Sequence, residues 1–319
     1  MYKGRCAVVT NRDLEIFVCV AEKGSITEAA NTLHISQPTV SHVIGFIEQT
    51  YSIRLFDRLS KKLYITAAGS ELLAYSRIVL SDIRKTDEYL SHAAGKMTIR
   101  VGASLTVGSI FMAPIISKFE SLNPRINIEV YIDNTGKIIN KIRDASLDAA
   151  VIEGYTDSRD LSVKDIYTDE MVLICGKKHP FAARKSVKPE DLEGMDCILR
   201  EEGSGTREFL MRLAEDHGIR IREKWVCHSL ESIVKIVAAG QGLSIVSEAQ
   251  IYGNTSVVRV PLVESGSMCR TFKTVLHKDK FVSAQLQSLL DEIGHDFAEI
   301  ALMKESRRSG AKIKQNWSL

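Results

Sequence analysis

The stretch SITEAANTLHISQPTVSHVIGFIEQTYSIRLFDR, from Ser25 to Arg58, reads as two helices joined by a short turn, with an extended segment after them. Ser25 and Glu28 have the Ser-x-x-Glu spacing of a capping box, in which each side chain satisfies a free backbone N–H of the same turn. Ile26, Ala29, Ala30 and Leu33 follow at steps of three and four, which gives the first helix an apolar stripe. His34 and Ile35 form the turn. Ser36 caps the second helix, and Pro38 sits in its first turn, where the missing N–H costs nothing. Val40, Val43, Ile44 and Ile47 make a buried face. Gln37, Thr39, Ser41 and His42 are left outside, near the N-terminus. Short hydrogen-bonding side chains at the exposed start of a helix suit the DNA major groove.

Two short helices packed on a third are also common in all-α domains, and periodicity alone divides the two readings evenly. The neighbouring residues decide between them. Asn11 to Lys23 is helical by pattern, with Leu14, Phe17, Val18 and Ala21 on one face and Gly24 as its stop. That helix completes a three-helix core. Arg54 to Thr66 reads as a two-stranded wing whose Leu55, Phe56, Leu63 and Ile65 fold back onto the core. Its tip, Arg58-Leu59-Ser60-Lys61-Lys62, is basic. Cations on a narrow loop can sit beside phosphates or enter the minor groove, although charges also favour any solvated turn.

Three short motifs then carry a family resemblance. Ser36-Gln37-Pro38-Thr39-Val40-Ser41, Leu55-Phe56-Asp57-Arg58 and Leu63-Tyr64-Ile65-Thr66-Ala67-Ala68-Gly69 follow in order. They resemble the SQP-x-VS, LF-x-R and LT-x-x-G segments of LysR-type transcriptional regulators. The resemblance implies an N-terminal winged helix-turn-helix at residues 11–66, mainly α, then a linker and dimerisation helix at 67–94. A two-lobed α/β effector-binding domain at 97–303, like a periplasmic binding protein, follows. It also implies double-stranded DNA and RNA polymerase as partners, and a homodimer or homotetramer.

Bulk composition neither supports nor opposes nucleic acid. The 319 residues carry 42 basic and 40 acidic side chains, a net +2, and are 45% hydrophobic. A DNA footprint must therefore come from placement. The six cysteines, Cys6, Cys19, Cys175, Cys197, Cys227 and Cys269, form no C-x-x-C pair or Cys/His ligand spacing, so no metal is expected. No run of about 20 apolar residues and no signal-peptide core stand out. A cytoplasmic protein without membrane contact is expected.

Residues 66–92 form one long helical pattern. Leu72, Ser76, Val79, Ile83, Thr86 and Leu90 keep the alternating spacing of a coiled-coil seam, with two polar members. A helix lying on its own domain is the competing reading. Ala93 to Lys96 would be a hinge. From Met97 onward strand and helix patterns alternate, which argues for parallel sheets with helices on both faces. Strands are expected at Thr98–Ala103, Ile126–Ile132, Asp148–Ile152, Glu170–Cys175, Asp196–Arg200, Val226–Ser229, Leu243–Val246, Val257–Val260 and Phe272–His277. The resemblance implies lobe I at about 97–166 and 270–303 and lobe II at about 167–264, with chain crossings near Tyr167–Glu170 and Ser265–Arg270. Residues 304–319 are polar and basic, and are expected to be disordered.

Ligands in such sheets gather at the C-terminal ends of strands, beside helix starts. Three loops qualify: Gly102–Thr106, Asp133–Gly136 and Glu201–Arg207. Each could equally be a set of helix caps and turns. Related regulators hold effectors with hydroxyls that match Ser104, Thr106, Thr135, Ser204 and Thr206 in position. Leu105, Gly203 and Glu153 complete the expected effector set. Hydroxyls at helix starts with Arg207 nearby favour a small anion or carboxylate; Glu153, Glu201 and Glu202 pull against that, and bind an amine or point outward in the alternative. The candidate DNA contacts are Ser36, Gln37, Pro38, Thr39, Ser41, His42, Arg58, Lys61 and Lys62. His42 stands where relatives often carry a basic residue.

No cofactor is expected, and no enzyme. G-x-G-x-x-G after a strand, G-x-x-x-x-G-K-[ST], H-E-x-x-H and G-x-S-x-G are all missing. Gly203-Ser204-Gly205 lacks an evident base. The alternative within the same family is a redox sensor, since some members respond to oxidants through a cysteine pair. A cytoplasmic binding protein or an enzyme would leave the N-terminal residues without a role.

Overall fold

Thr10 opens the first helix by a reciprocal cap. Its hydroxyl accepts the Asp13 N–H at 3.3 Å, and the Asp13 carboxylate accepts the Thr10 N–H at 2.9 Å. The computed structural model describes residues 9–59, 62–91, 97–154, 156, 159–263 and 268–309. Lys61, the hinge at 93–96 and the end of the tail at 310–319 lie outside the described residues. The chain divides into two compact units, Met1–Met97 and Thr98–Leu319.

In the first unit, α1 (Asn11–Lys23) ends at Gly24, whose φ of 60° is the left-handed conformation glycine adopts without strain. α2 (Ile26–Leu33) is closed by His34 and α3 (Gln37–Tyr51) is capped by Ser36. The anticipated apolar faces meet. Phe17, Val20, Ala29, Val40, Ile47 and Leu55 are buried in one core. β1 (Phe56–Leu59) and β2 (Lys62–Ile65) pair antiparallel as the wing.

The wing is tied down by backbone hydrogen bonds. Glu48 Oε1 accepts the Leu55 N–H at 2.7 Å. The Thr66 hydroxyl donates to the Arg54 carbonyl at 2.7 Å and accepts the Gly69 N–H at 3.0 Å. A Cβ on Gly69 would strike the Leu55 carbonyl oxygen, so the glycine permits α4 (Ala67–Ser91) to begin against the wing. Leu72 and Leu73 of α4 pack into the head's core, while Tyr75 and Val79 are exposed.

The second unit begins with β3 (Met97–Ser104), which runs into a short α5 (Leu105–Val107), a π-helical turn at Gly108–Met112 and α6 (Ala113–Leu122). β4 (Ile126–Asp133), α7 (Thr135–Arg143) and β5 (Ala149–Glu153) follow. β6 (Leu161–Gly176) is longer than the expected strand at 170–175. The remaining elements are β7 (Asp196–Arg200), α8 (Gly205–Asp216), β8 (Arg222–Cys227), α9 (Leu230–Ala238), β9 (Ser244–Ser247), β10 (Val257–Val260), β11 (Cys269–His277) and α10 (Ala284–Ser309).

β6 changes partners along its length. From Leu161 to Glu170 it pairs with β11; from Met171 to Gly176 it pairs with β9 and β10. Two lobes result. Lobe I is the sheet β4-β3-β5-β11-β6, covered on one side by α6 and α10 and on the other by α7. Phe111, Tyr167, Phe272 and Phe297 cluster in its core with ring centroids 5.3–6.0 Å apart. Lobe II holds the C-terminal half of β6 with β9, β10 and the parallel pair β7-β8, and has a core on each face.

Leu105–Leu122 is apolar and long enough to cross a membrane by composition. Here it is the core-facing stretch of lobe I, with Val107, Phe111, Met112, Ile115 and Phe119 buried. The tail requires a correction. Lys304 to Ser309 are helical, as the last part of α10. Lys304 reaches Glu248 at 2.7 Å and Glu170 at 3.5 Å, which ties this end of the helix to carboxylates just after β9 and on β6, near the crossing.

Candidate functional site

On the first unit, the start of α3 is open to solvent. Ser36, Gln37, Pro38, Thr39, Ser41 and His42 are all exposed, while Val40, Val43 and Ile44 between them point inward. Ser36 serves as the cap: its Oγ accepts the Thr39 N–H at 3.2 Å and lies 2.7 Å from the Thr39 hydroxyl. Gln37, Ser41 and His42 form an outward row one helical turn long. Arg58 and Lys62 take part in the wing through their backbones, Arg58 opposite Leu63 and Leu59 opposite Lys62. Their side chains, with Lys61, fall outside the described residues.

On the second unit, the three loops chosen from sequence meet. The Gly136 N–H donates to the Gly203 carbonyl at 3.0 Å, and the Asn134 amide donates to the Glu202 carbonyl at 3.4 Å. The lobes are therefore closed on each other here. Gly203 has φ of 80° and packs beside the Asn134 side chain. Gly205, at the start of α8, lies so close to β5 that a Cβ would come within 2.7 Å of the Glu153 carbonyl oxygen and 2.9 Å of its Cγ. Gly205→Val is expected to wedge the lobes apart, at a stability loss of about 1–3 kcal/mol for overpacking. Faster hydrogen exchange of the 149–153 amides, measured by mass spectrometry, would report the opening; unchanged exchange would argue against it.

The expected effector hydroxyls do not face empty space. Ser104 donates to Glu153 Oε2, and Thr106 donates to Glu153 Oε1 at 3.1 Å. Thr135 donates to the Glu153 carbonyl at 3.0 Å. Thr206 accepts from Arg270 Nη1 at 2.8 Å, and Thr106 accepts from Arg270 Nη2 at 3.1 Å. Arg270 Nε donates to Asp169 at 2.9 Å, and Ser247 donates to the other oxygen of that carboxylate at 2.7 Å. Ser204 is buried with no hydrogen-bond partner for its hydroxyl. Leu105 is half-buried in α5.

At the centre is Arg270, a residue that sequence reading placed only at a chain crossing. It is 6% exposed, Glu153 and Asp169 are each 1% exposed, and all three lie where β5, β6 and β11 adjoin. The guanidinium touches Thr106 of lobe I, Thr206 of lobe II and Asp169 on the strand that crosses between them. Burial pushes the Asp169 carboxyl above its ordinary range; Arg270 and Ser247 oppose this and Glu153 adds to it. A signal was available. Arg270, Phe272 and Thr274 share the inward phase of β11, so the alternation itself marked Arg270 as buried.

Unlike Glu202, Glu201 is also internal. Arg200 and Glu201 are buried and joined by two hydrogen bonds, 2.9 and 2.8 Å. Burial would raise the Glu201 pKa, but Arg200 outweighs it and holds the carboxyl below its ordinary range. Arg207 turns to Glu223 at 2.5 Å and to the Arg200 carbonyl at 3.1 Å. Glu202 is exposed. Beside these groups an open depression of 330 Å³ is lined by Thr135, Gly136, Gly203, Ser204, Glu208 and Met211, among others.

The thiols of lobe II are not set up for oxidation. Cys175, Cys197 and Cys227 are buried. Burial, with a smaller contribution from Asp196, pushes the Cys197 thiol up to about 12, and burial raises Cys175 and Cys227 as well. Sensor thiols need the opposite shift and solvent access. Among the described residues no group of three His, Cys, Asp or Glu could hold a metal ion.

Residues 11–70 match the model of the bacterial regulatory helix-turn-helix protein, lysR family, and residues 92–298 match the LysR substrate binding domain. The chain belongs to the LysR family of transcriptional regulators. This LysR-family chain is 32% identical to the HTH-type transcriptional regulator CysL of Bacillus subtilis, over 74% of its own length and 80% of that protein. Its fold resembles full-length OxyR from Pseudomonas aeruginosa, with a TM-score of 0.62 and 20% identity over 91% and 95% of the two chains. It also resembles the Synechocystis CcmR regulatory domain in complex with 2-PG, with a TM-score of 0.59 and 20% identity over 63% and 98%. The relatives are regulators by name, and this LysR-family protein is likewise a regulator with an effector-binding domain, not an enzyme.

Proposed function

We propose that this regulator grips double-stranded operator DNA with two or four copies of its N-terminal unit, and that a small molecule between lobes I and II switches it. The observation that carries the DNA reading is the outward row Gln37, Ser41 and His42 at the exposed start of α3. In this reading residues 11–66 form the head, 67–94 the dimerising linker, and the lobes from residue 97 hold the effector. The basic wing residues Arg58, Lys61 and Lys62 lie against phosphates or in the minor groove. Exposed Tyr75 and Val79 on α4 support pairing of linkers, and exposed Val130, Ile132, Trp225 and Val226 on β4 and β8 support contacts between copies. Contact with RNA polymerase then follows from DNA bend and dimer angle.

A small carboxylate or other anion is the effector class that the donors favour. Ser104, Thr106 and Thr206 stand at helix starts, and Arg270 supplies a fixed charge. An effector acts through its differential affinity for open and closed lobes, typically about 1–3 kcal/mol of coupling. The CcmR domain, solved with 2-PG, supports a cleft of this architecture as a place for a small ligand.

Selection of genomic fragments by the full-length protein, across a salt series, tests the reading. Sequence-selective binding that weakens steeply with salt is expected. Gln37→Ala is expected to weaken the selected site by roughly 5- to 150-fold, equivalent to about 1–3 kcal/mol, without lowering the Tm. No preferred fragment would overturn the proposal.

A further inference from the structure

The donors that would receive an anionic effector are already spent on a carboxylate of the chain itself. Glu153 ends β5 as a residue 1% exposed with both carboxylate oxygens occupied, Oε2 by the Ser104 hydroxyl and Oε1 by the Thr106 hydroxyl at 3.1 Å. Arg270 Nη1 lies 3.6 Å from Oε1. Two hydroxyls at a helix start and one buried guanidinium make an oxyanion receptor. Ser104 would ordinarily cap α5, yet its hydroxyl makes no cap bond and goes to Glu153.

We propose that Glu153 is a built-in ligand: its carboxylate occupies the anion receptor of Ser104, Thr106 and Arg270 and competes with any small anionic effector for it. The inference rests on the effector reading above and deepens it. The receptor is intramolecularly filled, so the occupant's effective concentration far exceeds that of a free metabolite. A free carboxylate or oxyanion binds only by displacing the Glu153 side chain, whose Cγ packs against Gly205 of lobe II. Displacement is thereby linked to lobe opening. Charge count agrees with the arrangement. One guanidinium faces two carboxylates, Glu153 and Asp169, and a third carboxylate has no free cation to meet in the cluster.

The test uses the full chain, free of DNA, with acetate as the probe. Thermal unfolding is followed in sodium acetate and in sodium chloride at equal ionic strength, for wild type, Glu153→Ala and Glu153→Gln. Wild type is expected to unfold at the same temperature in both salts. Glu153→Ala vacates the receptor, and acetate is expected to raise its Tm saturably, by about 5–10 °C at a hundredfold excess over Kd. Glu153→Gln leaves an uncharged and weaker occupant, so its response is expected at higher acetate. A saturable acetate effect on wild type equal to that on Glu153→Ala would overturn the proposal. A flat response of both variants would do so too; if Glu153→Ala stays unfolded in both salts, Glu153→Gln decides alone. Because no DNA is present, failure here leaves the fragment selection untouched, and failure of that selection leaves this result standing.

Discussion

Arg270→Ala is expected to cost the second unit about 3–5 kcal/mol, because it strands the buried carboxylates of Glu153 and Asp169 without their cation. For a unit of this size that corresponds to a fall in Tm of about 10 °C by calorimetry. Arg270→Lys is expected to recover little. An ammonium is a point charge and cannot span Asp169, Thr106 and Thr206 as the planar guanidinium does. The loss also has a pH signature. Burial holds the Asp169 carboxyl above its ordinary range in the folded chain, so ionising it costs more there than in the unfolded chain. Stability therefore falls as pH rises through the folded pKa. Removing Arg270 takes away the largest opposing influence, so the fall should deepen and extend to higher pH. A Tm for Arg270→Ala equal to that of wild type would contradict the assignment of Arg270 as the clasp between lobes.

Phe17→Ala is expected to abolish DNA binding while leaving the second unit folded. Phe17 is fully buried, with its ring 5.7 Å from that of Phe56 beneath the wing. Truncation of a buried phenylalanine costs about 3–5 kcal/mol, a large share of what a small head can hold. The two units have separate cores, Phe17 and Leu55 in one and Phe111 and Phe272 in another. Calorimetry should then show the lower transition lost and the transition of lobes I and II unmoved. A single transition shifted as a whole would mean that the units unfold together.

Local physics made most of the elements legible. The head followed from periodicity and caps, because each of its helices announces itself within a few residues: Ser36 and Pro38 for α3, Gly24 for the end of α1. Thr10 and Asp13 carry the same kind of signal, a reciprocal cap at the start of the expected helix. β6 extends beyond the expected strand because Ser162 to Asp165 are all exposed and include Lys164 and Asp165, so its first half shows no apolar run. β8 was displaced toward its apolar end because Arg222, Glu223 and Lys224 read as loop, whereas an outer strand carries charges readily. The three candidate loops meet in the structure, but the state of their hydroxyls was not legible. Glu153, Asp169 and Arg270 lie on three strands far apart in the chain, and only the register of β6 against β11 sets Arg270 opposite Asp169.

The interrupted sheet of lobe I also dictates an order of events on the ribosome. β11 lies between β5 and β6, and Leu286, Leu289, Ile293 and Phe297 of α10 complete the same core. All of them are translated after the whole of lobe II. At about 5–20 residues per second, the nascent chain must carry β3, β4 and β5 unpaired along one edge for several seconds, while lobe II can already close around β7, β9 and β10. A stop codon before Cys269 would release, and a long ribosomal pause there would hold, a chain with lobe II finished and the lobe I sheet open and sticky, the form that chaperones and proteases meet first.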